Sequence, residues 1–366
     1  MREAEGSFLQ DDLPVIMNNK EHHPRIIFRT VGSRMIGLGH IVRSIALAQM
    51  LNDFFQPVFW LNRPDDFIVD MIKSDFMVET FDFADNDEEI KGLSTELNSS
   101  DLLVLDGYQF DGEYQRAIKP MVKKMICIDD LAQTHFCADL VINHGDGTRM
   151  KRYSKEPYTK LLTGADYVLL REEFRNAAAR QRNEVEKIDT LFICMGGADP
   201  FNATNKVLRS ALQMDFLSRI IIAIGSAYSF TDEMQKIIST SKSEKEISVR
   251  KNIDATEIVD LLYKSQIAVC PASSISLEVA SVKCGLMTGM VADNQQAIHD
   301  MIITAGCATT AGDFNTISEA ELSRKLSEMN DLKFINYLMA RQTTFIDGLS
   351  GERLLDEFKK LHDAKV

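Results

Sequence analysis

The sequence predicts an α/β protein made of two Rossmann-like parallel-sheet domains that face each other across a cleft. Three observations carry this expectation. Short apolar runs, too brief for helices, alternate with longer amphipathic stretches, which is the pattern of parallel strands covered by helices on both faces. The alternation runs through the chain twice, with a charged helix-like stretch at 172–186 between the two series. Finally, 366 residues are too many for one ordinary core, so two units of about 150 residues each are expected.

Residues 1–24 carry many charges, and their one apolar cluster, Val15-Ile16-Met17, is too short for a signal-peptide core. They read as a frayed extension. The first domain is expected over 25–166, with strands at 26–29, 57–61, 78–81, 102–105, 125–128 and 140–143. Its helices fall at 41–51, opened by His40, and at 65–73, 88–97 and 113–122. A linker over 167–187 leads to a second domain over 188–366. There the strands are 190–195, 220–224, 247–250, 267–270 and 286–290, with helices near 203–214, 231–239, 255–265, 276–283 and 296–305. Three terminal helices, at 319–329, 334–343 and 352–361, close the second domain or reach back to the first.

Composition narrows the function. A net charge of −13 argues against wholesale binding to a nucleic-acid backbone, while leaving room for a small anionic ligand held by helix ends and a few basic groups. No apolar run approaches the roughly 18 residues needed to cross a bilayer. The six cysteines are scattered without a CxxC pair, which fits reduced thiols in a cytoplasmic protein better than disulfides or zinc.

In open parallel sheets ligands bind outside the carboxyl ends of the strands, so the loops there hold the candidate chemistry. Gly37-Leu38-Gly39-His40 joins the first strand to the first helix; its glycines let backbone N–H groups approach an anion, and the helix N-terminus disfavours a protonated imidazole. His40 can therefore accept a proton. A tight turn with an ordinary histidine reads equally well. Arg43 lies one turn further on, to meet a carboxylate or phosphate or simply solvent. Asp106-Gly107-Tyr108 and Asp129-Asp130 end neighbouring strands and point at the cleft or serve as turn formers. In the second domain, Gly196 and Gly197 follow a strand and suit close approach of a phosphate, or form a plain glycine turn. Ser273 and Ser274 open a helix and offer hydroxyl and N–H groups to a diphosphate, or only a cap. Glu278, one turn after Ser274, suits a ribose diol or is simply a solvated helix carboxylate, and Asn294-Gln295 present amides or an N-cap. Asp85-Asn86-Asp87 has a metal-binding spacing but reads as an acidic turn, and no histidine pair has helix-face ligand spacing.

Taken together, Ile36-Gly37-Leu38-Gly39-His40, Leu169-Leu170-Arg171-Glu172-Glu173-Phe174, Phe192-Ile193-Cys194-Met195-Gly196-Gly197, Ala272-Ser273-Ser274 with Glu278, and Asn294-Gln295 resemble the PseG family of UDP-sugar hydrolases in pseudaminic acid biosynthesis. The resemblance implies a GT-B-like fold and a hydrolase that removes UDP from a UDP-diacetamido-trideoxyhexose by attack of water at the anomeric carbon. His40 would be the general base. Gly39, Arg43, Asp106, Tyr108 and Glu173 would lie on the sugar side, and Gly196, Gly197, Ser273, Ser274, Glu278, Asn294 and Gln295 on the UDP side. No metal or other cofactor is then needed. The expected partner is the UDP-sugar itself, bound by a monomer or weak homo-oligomer.

Two positions depart from the family pattern. Gly107 replaces the histidine of an Asp-His-Tyr motif, and Val31 replaces an aspartate that often follows the first strand. Both fall on the sugar side. A GT-B glycosyltransferase with a hydroxyl acceptor is the competing enzyme reading, and a non-catalytic nucleotide-sugar binder is the competing reading outside enzymes.

Overall fold

The computed structural model describes residues 23–33, 38–145 and 152–364. Most of the expected N-terminal extension, together with Ile36 and Gly37 of the first glycine loop, lies outside the described residues.

The first half runs β1 (Arg25–Thr30), α1 (Gly39–Leu51), β2 (Gln56–Asn62), α2 (Asp66–Lys73), β3 (Met77–Phe81), α3 (Asn86–Glu96), β4 (Leu102–Asp106), α4 (Gly112–Ile118), β5 (Lys124–Ile128), β6 (His135–Phe136), β7 (Leu140–Asn143), β8 (Ser154–Lys155) and β9 (Lys160–Thr163). Helix α5 (Glu172–Ala179) leads into the second half. That half comprises β10 (Thr190–Cys194), α6 (Ala203–Leu212), β11 (Arg219–Ile224), α7 (Thr231–Thr240), β12 (Glu246–Lys251), α8 (Ala255–Lys264), β13 (Ile267–Pro271), α9 (Ser274–Ser281), β14 (Gly285–Met290), α10 (Gln296–Thr304), β15 (Thr309–Asp313), α11 (Glu319–Glu328), α12 (Leu332–Phe345) and α13 (Ser350–Asp363).

These strands form a seven-stranded sheet in the order β3-β2-β1-β4-β5-β7-β9 and a six-stranded sheet in the order β12-β11-β10-β13-β14-β15. Every pairing within the two sheets is parallel. Strand β1 shows why. Ile26 and Phe28 face the cluster beneath α1, while Ile27 faces the cluster on the opposite side, so both faces are dry and an apolar run suits them. In each sheet the order reverses beside the first strand, between β1 and β4 and between β10 and β13. Crevices at such switch points, at the carboxyl ends of the strands, are where ligands bind.

The two carboxyl ends meet. Leu38 packs within 3.7 Å of the space above Gly197, and Asn294 Nδ2 donates to Tyr108 Oη at 2.8 Å. The architecture is GT-B-like, with two Rossmann-like sheets facing across a cleft. The last helix reaches back to the first sheet: Leu354 and Phe358 of α13 are fully buried in the cluster under α1. Burying one such side chain contributes about 1.5–3 kcal/mol.

The charged stretch expected to be helical through 186 stops at Ala179. Lys283 explains the stop, because its buried ammonium donates to the carbonyls of Ala177, Ala178 and Arg180 and satisfies the end of α5. Asp85 resolves as the N-cap of α3, accepting from Glu88 N, while the Glu88 side chain accepts from Ala84 N, so the acidic turn is a helix start. Among the described residues no helix is long and apolar enough to cross a membrane.

Candidate active site

The switch point of the first sheet holds His40. Helix α1 begins without a side-chain cap and without an acidic residue in its first turn, so the ring sits in the positive field of that helix end. Asp106, the last residue of β4, comes under it: His40 Nδ1 lies 2.6 Å from Asp106 Oδ1. Asp106 is fully buried and also accepts from Arg43 Nε at 2.9 Å, Arg43 Nη2 at 2.5 Å and Ser44 Oγ at 3.0 Å. Burial by itself would raise the Asp106 carboxyl, but Arg43, followed by His40, holds it well below the usual carboxylate range. The carboxylate is a permanent acceptor. Nδ1 then carries the proton donated to it, and Nε2 is left as the nitrogen that can take one from a ligand. Arg43 Nη2, 2.9 Å from Nδ1, is a second donor gathered round the same oxygen.

A second layer continues from Arg43. Its Nη1 donates to Asp130 Oδ2 at 3.0 Å, and the Tyr108 hydroxyl donates to the same oxygen at 3.1 Å. The Tyr108 ring meets His40 edge-on, with centroids 4.9 Å apart, and burial together with the Asp130 anion pushes its hydroxyl up to about 12. Among the described residues Asp130 Oδ1 is buried without a hydrogen-bond partner. His144, at the end of β7, is buried and accepts from Leu169 N through Nδ1; burial, aided by Arg43, pushes it down to about 4. Gly39 stands beside His40 with open space where a side chain would be.

Position 107 is closed. A Cβ built on Gly107 would lie 2.8 Å from Gln109 Oε1, 2.9 Å from Val31 Cγ2 and 3.0 Å from Phe110 Cε2. The two departures from the family pattern therefore touch each other. Val31 fills space that a larger residue at 107 would need.

In the second sheet, Gly196 follows β10 with φ of +87°, a conformation that disfavours side chains, and has open space above it. Gly197 is pressed by Gly225, whose added Cβ would come within 2.3 Å of the Gly197 carbonyl oxygen. The helix N-termini that follow β10 and β13 differ. That of α6 is already occupied, since Asp199 accepts from Ala203 N at 2.9 Å and Thr204 N at 2.7 Å. That of α9 starts at Ser273 and Ser274 with no side-chain cap. Glu278 of α9 is buried, and Arg171 Nε and Nη2 donate to its two oxygens at 2.8 and 2.9 Å. Gln295 folds back so that its carbonyl accepts from Val291 N at 2.8 Å, whereas Asn294 reaches Tyr108. Glu173 stands in the first turn of α5 with Oε2 buried and, among the described residues, unpartnered.

The structure thus brings His40, Arg43, Asp106 and Tyr108 into one hydrogen-bonded group, with Asn294 joined to it. Gly196, Gly197, Ser273 and Ser274 gather at the facing switch point, and Glu173 and Glu278 lie beside Arg171. Ser44 and His144 were not singled out in the sequence. A serine inside an apolar helix stretch gave no signal, and His144 follows a strand in the way many turn residues do.

No known family profile matches the chain. It is 27% identical over 285 residues to the UDP-2,4-diacetamido-2,4,6-trideoxy-beta-L-altropyranose hydrolase of Campylobacter jejuni, covering 77% of this chain and 97% of that one. The chain resembles this hydrolase. It is also 27% identical over 240 residues to an uncharacterized protein of Methanocaldococcus jannaschii, covering 63% of this chain but spanning only 48% of that relative. Among solved structures it superposes on MurG of Acinetobacter baumannii with a TM-score of 0.66 at 13% identity, covering 92% of this chain and 99% of that one. A UDP-glucosyltransferase from Polygonum tinctorium gives 0.66 at 12%, covering 94% and 99%. These structures have the GT-B fold, and at such identities the likeness is one of fold.

Proposed function

We propose that the chain is a nucleotide-sugar hydrolase that releases UDP from a UDP-diacetamido-trideoxyhexose, in nonulosonate biosynthesis of the pseudaminic acid type. The observation that carries this reading is the buried His40–Asp106 pair, at a switch point that faces the uncapped N-terminus of α9 across the cleft. His40 Nε2 takes a proton from water as the water attacks the anomeric carbon, and Asp106 stabilises the imidazolium that forms. Arg43 keeps Asp106 ionised, so the carboxylate orients the ring without receiving the proton. Such a base contributes about 10²–10⁴-fold in rate.

The bond that breaks joins the anomeric carbon to the diphosphate oxygen, and negative charge grows on the leaving UDP. The N–H groups and hydroxyls at Ser273 and Ser274, with the backbone of Gly196 and Gly197, are suited to receive it. The N-terminus of α6 is not, because Asp199 fills it. Glu278 meets the ribose diol through the lone pairs that Arg171 leaves, and Asn294 and Gln295 border the same ligand. Arg43 and Asp106 act through His40, while Gly39, Tyr108 and Glu173 border the sugar. The reaction has a cytoplasmic setting and is carried out by a monomer or weak homo-oligomer. Relatedness to the Campylobacter jejuni hydrolase supports the reading.

The test is UDP release from a panel of UDP-diacetamido-trideoxyhexoses without acceptor, for the parent and His40→Ala. Release that falls at least a hundredfold in the variant, with free sugar as co-product, supports the hydrolase. UDP binding without release in the parent would overturn it in favour of a transferase lacking its acceptor or a binding protein.

A further inference from the structure

Away from the cleft, the short parallel ribbon β6–β8 gathers three side chains of metal-binding type. His135 and Cys137, two residues apart in an extended segment, project on one side, and Glu156 follows β8. The register pairs His135 with Ser154 and Phe136 with Lys155, and Glu156 N donates to Phe136 O at 3.0 Å, so the backbone holds the three residues side by side. A nitrogen of His135, the Cys137 sulfur and a carboxylate oxygen of Glu156 lie within 4.8 Å of one another, the only such group among the described residues.

From this cluster we infer a zinc-type divalent cation site formed by His135 Nε2, Cys137 Sγ and a Glu156 carboxylate oxygen, with water in the fourth position. Three features support it. The donor set, one imidazole, one thiolate and one carboxylate, matches the charge of a divalent ion and its tolerance for mixed N, S and O ligands. Bond lengths of about 2.0 Å to nitrogen and about 2.3 Å to sulfur put tetrahedral ligand atoms roughly 3.5 Å apart. His135 Nε2 and Glu156 Oε1 already stand 3.2 Å apart, and both side chains are more than a third exposed. The other imidazole nitrogen is held as well: His135 Nδ1 lies 2.9 Å from Ser154 Oγ, the kind of outer hydrogen bond that aims a ligating ring.

The consequence is structural. An ion here ties the chain at 135–137 to 156 and closes a loop that contains β7 and His144, the wall of the cleft beside Asp130. It is separate from the proposed hydrolysis, which uses none of these residues.

The test is a cobalt(II) titration of the full chain after chelator treatment, followed by displacement with zinc. One equivalent should give the visible bands of a four-coordinate ion and a thiolate-to-metal charge-transfer band, and zinc should abolish both. Cys137→Ser should lose the charge-transfer band. His135→Ala and Glu156→Gln, both at half-exposed positions, should keep the fold by circular dichroism and weaken binding at least tenfold each. Zinc should raise Tm in the parent but not in Cys137→Ser. Absence of the charge-transfer band in the parent, its survival in Cys137→Ser, or unchanged affinity in both half-exposed variants would overturn the site.

Discussion

Asp106→Asn tests the centre of the site through stability and activity together. Asp106 is fully buried and Arg43 is 5% exposed. An asparagine keeps the shape but loses the charge, and its NH₂ group must face a donor of either Arg43 or His40. Removing one partner of a buried pair costs about 3–5 kcal/mol. Here Asp130 still accepts from Arg43 Nη1, which puts the expectation at the lower end, about 3 kcal/mol. Urea denaturation followed by circular dichroism measures it. In the folded variant the imidazole loses the anion that fixes its tautomer, and UDP release should fall on the order of 10²–10⁴-fold, mainly in kcat. Because the folded Asp106 carboxyl is held below its unfolded value, its contribution is present above about pH 4 and is lost only as pH falls through the folded pKa. A variant as stable as the parent, or one with parental kcat, would refute the account of how His40 is held.

Other expectations follow from the same geometry. His144 is pushed down to about 4 from an ordinary value near 6.5, so the unfolded chain takes up its proton first; stability should decline by about 3 kcal/mol as pH falls from about 6.5 to about 4, and His144→Gln should remove that slope in urea melts. Phe358→Ala should cost about 3–5 kcal/mol, since the ring from the last helix fills the core under α1, and a loss under 1 kcal/mol would contradict that packing. Gly107→Ala should cost about 1–3 kcal/mol through its collision with Val31, and Val31→Ala should recover part of it in a double-mutant cycle. Gly225→Ala should displace the backbone of Gly197 and raise KM for the UDP-sugar more than it lowers kcat, as steady-state kinetics would reveal.

The sequence announces elements whose burial is uniform. Strands β1, β4, β10 and β13 are apolar runs bounded by polar residues, and both their faces are covered, so composition alone exposes them. Strands β6, β8, β9 and β15 are missed for the opposite reason. Ser154–Lys155 is two polar residues, and Thr309–Asp313 holds a glycine and an aspartate at a sheet edge, where only the neighbouring strand makes them β. The C-terminal end of α5 could not be read either, because Lys283 caps it from more than a hundred residues away.

The site is legible in the same measure. His40 and the facing glycine and serine loops announce themselves by strand–loop–helix context. The partner of His40 does not, since Asp106 reads locally as a turn former and becomes the imidazole's acceptor only because the strand order sets β4 beside β1. Likewise Glu278 reads as a solvated helix carboxylate until the fold delivers Arg171 to it across 107 positions.

The most direct test of the central claim is hydrolysis in ¹⁸O-labelled water with mass analysis of both products. Water attack at the anomeric carbon places the label in the free sugar and leaves UDP unlabelled, and His40→Ala should slow the incorporation in step with UDP release. Label in UDP would mean attack at phosphorus, and turnover that is indifferent to His40 would remove the base from the mechanism; either result would contradict the account.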